Sequence, residues 1–229
     1  MEHLDYFFQV LKDESMIFPI FLSARVLLLT VLLHIIFGVM LGYILSKKFP
    51  LRDLLESLVV LPLVFPPVAL GFFLLILFGR EGFIGGWLGH IFGIEVIFSF
   101  WGITIAAFVA GLPLIVKPVQ SAIESSAGQL IEASYVLGKS EFQTFFRVVL
   151  PSIKKSVIAG LTLAFGRSLG EIGMTLMLGG NIYGKTTTIS LAIYNAVFDG
   201  EFNKAIILSI FLGAISLSIF YVLRKMSAI

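Results

Sequence analysis

Cysteine is absent from this 229-residue chain, and charge is scarce. Without a thiol there is no disulfide framework, no zinc–thiolate site and no thiol nucleophile. Asp, Glu, Lys and Arg make up 13% of the residues, about half the ~25% of a soluble domain. The three histidines, His3, His34 and His90, are too scattered to give a metal-ligand spacing. No serine sits in a G-x-S-x-G turn, and no basic patch is interleaved with aromatic residues. The start is acidic, with Glu2, Asp5, Asp13 and Glu14 against Lys12, so it is not a basic signal sequence. The sequence therefore implies no catalytic residues in the chain, no cofactor, no metal and no nucleic acid.

What is abundant is apolar surface. Hydrophobic residues reach 58% and the mean hydropathy is +1.03. Such a chain is an all-α integral membrane protein, because a helix satisfies its own backbone groups in lipid. No linker divides it, so 1–229 reads as one domain. Leu4, Phe7, Phe8 and Leu11 recur at helical spacing, which predicts a short amphipathic surface helix at the N-terminus. Five spans are expected, at about 17–45, 58–78, 96–116, 156–178 and 205–223, with a polar loop over 117–155. Pro62, Pro66 and Pro67 predict a kinked or partly unwound second span. Segment 79–95 reads as a Gly-rich connection too polar for lipid, and Trp101 as an interfacial anchor. Gly38 with Gly42, and Gly166, Gly170 and Gly173, are expected to permit close helix packing. His34 reads as a hydrogen-bonded interhelical residue.

Loop charge sets the expected orientation. Lys47, Lys48, Arg52, Lys117, Lys139, Arg147, Lys154, Lys155, Arg224 and Lys225 fall in one set of connections; Lys12, Arg80, Lys185 and Lys204 fall in the other. The first set is expected in the cytoplasm, with the N-terminus outside and the C-terminus inside.

The loop within the basic set carries EASYVLGKSEFQTFFRVVLP over 132–151. Ile123, Ala127, Leu130, Ile131 and Ser134 share one helical face, which predicts a surface helix over 121–137. Gly138 is expected to end it in a positive-φ cap. A second short helix over 141–149 should then lead through Pro151 into the fourth span. Glu132, Ala133 and Ser134, with Gly138, Val148, Leu150 and Pro151, resemble the Glu-Ala-Ala loop of bacterial ABC-importer permeases. Ser134 stands where the second alanine is usual, and Val148 where isoleucine is usual. LPLVFPPVALG over 61–71, GREGFIG over 79–85, FGRSLGEIG over 165–173 and GGNIYGKTTTISLAIYNAV over 179–197 are similar to the molybdate branch of the molybdate/sulfate permease family. Some members carry an extra N-terminal span that is lacking here.

That resemblance implies the type I ABC-importer permease fold, with a cytoplasmic coupling loop touching the partner through Glu132, Ala133, Ser134, Gly138, Val148, Leu150 and Pro151. It also implies a homodimer lining one central path, two cytoplasmic ABC ATPase subunits below, and an external oxyanion-binding protein above. In the fourth span Arg167 and Glu171 are spaced to pair, and a charge at that depth costs about 2.5–3.5 kcal/mol unless it faces protein or water. A structural ion pair and a pathway role both fit. Arg167, Ser168, Glu171, Pro66 and Pro67 are the pathway or gate candidates.

One motif points elsewhere. GGNIYGKT over 179–186 matches the phosphate-loop pattern G-x-x-x-x-G-K-[ST]. That loop needs a preceding strand, and here it follows a membrane span on the expected outer side. It is set aside as a nucleotide site and, with a helix-like 189–198, placed near the external mouth. Carrying a divalent anion inward against about 100 mV opposes about 4.6 kcal/mol, twice the ~2.3 per charge. The expected function is thus the permease subunit of an ATP-driven molybdate importer working by alternating access in a bacterial or archaeal plasma membrane. Tungstate or sulfate import, or a stand-alone secondary anion transporter or channel, are the alternatives.

Overall fold

The computed structural model describes residues 14–228; the amphipathic segment expected at the N-terminus lies outside them. Every regular element among the described residues is a helix. α1 (Glu14–Leu33) continues through a π turn (His34–Gly38) into α2 (Val39–Leu45), giving one apolar rod over Met16–Leu45. α3 (Arg52–Val64) stops where Phe65 turns extended ahead of Pro66, and α4 (Pro67–Phe78) starts on a proline, whose missing N–H costs nothing at a first turn. The expected interruption is therefore a true break at 65–66, with Pro62 tolerated inside α3.

The connection expected over 79–95 holds a further helix, α5 (Phe83–Phe92), bent 43° from α4. It is apolar rather than polar: its charged neighbours, Arg80 and Glu95, sit just outside its ends. The third span starts later than expected, at Phe100 instead of Val96. Ser99 caps it by accepting the Trp101 N–H at 3.2 Å, while Phe98, at φ 57°, donates its N–H to Leu178 O at 2.7 Å. This α6 (Phe100–Ala122) runs on through a π turn (Ile123–Ala127) into α7 (Gly128–Val136). No separate surface helix begins near 121, because Val116, Val119, Gln120 and Ile123 stay buried on one face and hold the chain helical past Pro118.

After an elbow at Gly138 come α8 (Glu141–Thr144), a π turn (Phe145–Val149) and α9 (Leu150–Ser152), then a 73° turn at Ile153 into α10 (Lys154–Leu169). The fourth span is not continuous. α10 ends at Leu169, residues 170–172 are unwound, and α11 (Gly173–Gly179) resumes. α12 (Ile189–Phe198), where helix was expected, and α13 (Phe202–Ala228) complete the chain.

α6 is the axis of the packing: 61% of its apolar window over Phe100–Ser125 is buried, against 6% for Phe202–Lys225 at the periphery. Small residues set how closely its neighbours approach. A Cβ on Gly38 would lie 2.5 Å from Ile115 Cγ2, one on Gly42 2.5 Å from Val119 Cγ1, and one on Gly160 2.9 Å from Ile115 Cδ1. Ile115 is thus clamped between two helices that close on it only as glycines. Gly173 is equally tight, 2.9 Å from Pro67 Cβ, but Gly166 faces open space and Gly170 meets only Gly166 O at 3.6 Å, so the expected packing role holds for Gly173 alone of those three. Among the described residues, three helices are long and apolar enough to cross a membrane, or up to five if each bent pair counts as one span.

Candidate functional site

Two places gather the residues singled out in the sequence. The first is the elbow between α7 and α8. The Gly138 N–H bonds to Tyr135 O at 2.9 Å and the Lys139 N–H to Ser134 O at 3.1 Å, the two reciprocal bonds of a Schellman ending, with Gly138 at φ 75°. Only glycine holds that conformation without strain. On the far side Ser140 Oγ accepts the Gln143 N–H, and the Gln143 side chain accepts the Ser140 N–H in return, so α8 starts from a capping box. The arms are locked by Ser134 Oγ and Thr144 Oγ1, 2.8 Å apart and buried. Because the single Ser134 proton goes to Ile131 O at 2.8 Å, Thr144 is the donor between them.

Around this lock Glu132, Ala133, Gly138 and Pro151 are exposed, Val148 and Leu150 are half-buried, and Ser134 is inside. Ser134 is buried and joins the arms. The surface it supports carries Val136 at 88% exposure, Leu137 at 77% and Phe142 at 72%, with the Phe142 and Phe146 rings 4.6 Å apart. Charged side chains anchor the base of the elbow. Lys47 pairs with Glu141, and Tyr43 donates to the same carboxylate at 3.4 Å. Arg52 pairs with Glu124 at 2.6 Å and donates to Leu45 O at 2.9 Å, and Lys117 pairs with Glu56. The hydrogen bond from Lys117 holds the Glu56 carboxyl below its ordinary value, against some opposition from burial and with help from Gln120 and Arg52.

The second place is the break at 170–172. Arg167, in the last turn of α10, bonds through Nη1 to Glu171 Oε2 at 2.5 Å. Glu171 Oε1 accepts the Met174 N–H at 2.8 Å, so this buried carboxylate spans the break, holding a cation on one helix and the first turn of the next. The carbonyls freed by the break are also served: Ser190 on α12 donates to Leu169 O at 2.7 Å. Ser168 instead fixes α10 to α6, donating to Ala107 O at 2.7 Å. The break at Pro66 meets this one. Gly173 abuts Pro67 and Val68, and a Cβ on Gly71 would lie 2.9 Å from Met174 Cα, so the two half-helices α4 and α11 pack closely through their glycines. Pro66 and Pro67 are themselves exposed. His34 Nε2 donates to Phe108 O at 2.9 Å beside Gly111, the interhelical bond expected of it.

A profile of the family described as binding-protein-dependent transport system inner membrane components matches residues 34–227. The chain belongs to this family. Among relatives, the molybdenum transport system permease protein ModB of Escherichia coli K12 is 40% identical over 91% of this chain and 93% of its own length. The probable transport system permease protein NifC of Clostridium pasteurianum is 38% identical over 83% of this chain and 67% of its own. The sulfate transport system permease protein CysT of E. coli K12 is 36% identical over 81% and 67%. The fold is that of a chain in a bacterial alginate ABC transporter crystallised in complex with an alginate pentasaccharide-bound periplasmic protein, with a TM-score of 0.76 at 20% identity over 97% of this chain and 82% of that one.

In this inner membrane component the GGNIYGKT segment is not a phosphate cradle. It follows α11 rather than a strand, and its threonine hydroxyl is used internally: Thr186 Oγ1 accepts the Ile182 N–H at 2.8 Å and donates to Gly179 O at 2.6 Å. Thr144, Glu141, Tyr43, Lys47 and the apolar rim of the elbow escaped the sequence reading. The i, i+4 pair Phe142 and Phe146 beside a glycine cap was the available signal for the rim; nothing local marks a lysine ninety-four residues away as the partner of Glu141.

Proposed function

We propose that this inner membrane component is the permease subunit of an ATP-driven importer that passes molybdate from an external binding protein to the cytoplasm by alternating access. The observation that carries the reading is the elbow at Gly138: a rigid, internally locked pair of short helices whose outer surface is apolar and exposed, ringed by Glu132, Lys139, Glu141 and Arg147. On a membrane protein's water-facing end such a patch fits a protein partner. An ABC ATPase subunit is that partner, contacted by Glu132, Ala133, Gly138, Val148, Leu150 and Pro151, with Ser134 holding the contact surface in shape. The chain supplies no catalysis; hydrolysis belongs to the ATPase.

The working unit in this reading is a homodimer with two ATPase subunits and one binding protein. It has five spans, the N-terminus outside and the basic connections in the cytoplasm. Arg167, Ser168 and Glu171, with Pro66 and Pro67, occupy the joint where two broken helices meet, which suits a gate that opens as α4 and α11 move together. Molybdate is favoured because the molybdenum permease is 40% identical along nearly the whole chain. The sulfate permease at 36% supplies the competing arm of the test. The permease is reconstituted with its ATPase, and ATP hydrolysis is measured with binding protein loaded with molybdate, tungstate or sulfate. Stimulation by molybdate is expected; stimulation by sulfate alone transfers the assignment to sulfate, and anion flux without any ATPase returns it to a stand-alone transporter.

A further inference from the structure

We propose that Lys185 is the docking anchor for an acidic side chain of the external binding protein, seated at the rim of an open cleft. The inference rests on the orientation and the binding-protein partnership proposed above, and it adds where the partner is gripped and by what chemistry. The cleft, about 1010 Å3, lies between the α4–α5 bend, residues 93–98 and the loop carrying Ile182 and Lys185. Three glycines of α5 line it: Gly85 and Gly86 let the helix close on the Phe78 and Arg80 carbonyls, and Gly89 faces open space that leaves room for a protruding side chain. Its charged residues are Arg80, Glu95 and Lys185, with His90 beside them.

Of the other cations expected at this end, Lys12 lies outside the described residues, and Arg80 and Lys204 are already engaged, as is Arg25 of α1. Arg80 bonds to Glu95 at 2.7 Å, Lys204 to Glu201 at 3.2 Å, and Arg25 stacks on the Phe21 ring at 4.9 Å. Lys185 alone among them has no partner within the described residues, and it is exposed. Yet the loop that presents it is built with unusual care. Gly180, Asn181 and Gly184 all take positive φ, at 70°, 50° and 67°. The Asn181 and Asn195 amides bond to each other at 2.7 and 3.3 Å, Thr186 staples the loop to Gly179 O, and the Lys185 N–H is held on Ile182 O at 3.0 Å. Asparagine tolerates this left-handed conformation better than other side chains, and the amide pair with Asn195 holds it there. A stiff loop spends little ordering entropy when a partner binds it.

The neighbours of the lysine indicate the kind of partner. Tyr183 is 71% exposed and Ile182 39%, so the cation is set in an apolar and aromatic surround, the composition of a protein interface. A free dianion would need several converging donors. Here one unengaged cation stands at a rim, which matches a single carboxylate delivered by a protein surface that also covers Tyr183 and Ile182.

The test uses the permease with its ATPase in nanodiscs, and the molybdate-loaded binding protein as probe. At low ionic strength Lys185→Ala should weaken binding by about fivefold and Lys185→Glu by more than about tenfold, with Lys185→Arg retaining most of the affinity and the differences shrinking as salt is raised. ATP hydrolysis without the binding protein should be the same in all four proteins. One Asp→Lys or Glu→Lys change on the binding protein should restore its binding to Lys185→Glu. Wild-type affinity and salt dependence in Lys185→Glu overturn the inference. So does a loss confined to molybdate transfer with binding-protein affinity intact, which would make Lys185 a way-station for the anion itself. If wild-type permease fails to bind or respond to any oxyanion-loaded binding protein, the importer reading fails and takes this inference with it.

Discussion

Glu171 has left the helix that carries Arg167, yet the two remain paired at 2.5 Å. The pair does not decorate an intact helix; it bridges a gap in one. Removing the cation alone leaves a buried carboxylate with only the Met174 N–H for company. Arg167→Ala should therefore destabilise the permease in detergent by about 3 kcal/mol, the low end for breaking a buried pair. Arg167→Ala with Glu171→Ala should recover part of that loss. Glu171→Gln should be the mildest, because an amide oxygen still accepts the Met174 N–H. Additive losses in the double variant, measured by thermal unfolding, would count against the bridge.

The Ser134 to Thr144 bond makes a prediction of the opposite kind, for the elbow between α7 and α8. Thr144→Val leaves Ser134 its bond to Ile131 O and should cost about 1 kcal/mol. Ser134→Ala strands the Thr144 hydroxyl in a buried site and should cost more, up to about 2 kcal/mol. Pairing the two changes should be nearly neutral. Equal effects of the two single variants would show that the hydroxyl pair does not lock the elbow.

Gly138 and Glu132 test the coupling assignment. Gly138→Pro cannot reach φ 75° and loses the N–H that bonds Tyr135 O. Glu132→Arg reverses an exposed charge beside the apolar rim. Both variants should insert at wild-type levels, and both should separate ATP hydrolysis from transport. Normal transport per ATP in both would remove the elbow from the coupling path.

Much of this elbow was legible in advance, because its constraints are local. A positive-φ helix ending calls for glycine, and Ser140 with Gln143 spells a capping box. The shared face of Ile131 and Ser134 was also readable, but periodicity cannot say whether a face meets a partner or the chain's own next helix, and for Ser134 it is the latter. The break at Pro66 was legible for the same local reason: proline lacks the N–H. The break at 170–172 was not, since no proline marks it. It is held open by distant residues, Ser190 on α12 and the contact of Gly173 with Pro67. Continuity of α6 past Pro118 was hidden likewise, because burial against other elements overrode a local helix-breaking signal.

Acid should loosen the base of the elbow. Glu56 has a folded-state pKa below its unfolded one, chiefly through the hydrogen bond from Lys117. A carboxylate of that kind contributes stability that is fully present above its unfolded pKa, about 4.3 for glutamate, and is lost as pH falls through the folded value. The contribution of Glu56 to the melting temperature, read as wild type minus Glu56→Gln, should therefore be flat down to about pH 5 and drop below it. Glu56→Gln should lower stability at neutral pH and flatten the acid limb. An unchanged acid limb in that variant would locate the sensitivity elsewhere.

Substrate selection is the last expectation, and the joint geometry argues for it. A tight oxyanion site needs cationic or N–H donors left free to converge. At the joint, the charge of Arg167 is paired with Glu171, Ser168 is committed to Ala107 O and Ser190 to Leu169 O, while His34 donates to Phe108 O. A path whose deep cation is already neutralised releases cargo quickly, which suits transfer from a high-affinity carrier. Permease and ATPase without the binding protein should bind molybdate with a Kd on the order of 1 mM, about −4 kcal/mol, and should hardly distinguish it from tungstate or sulfate. Isothermal titration in nanodiscs measures this directly. A micromolar, molybdate-selective site in the translocation path would mean that Arg167 exchanges Glu171 for the anion during transport, and Arg167→Lys should then lose that affinity.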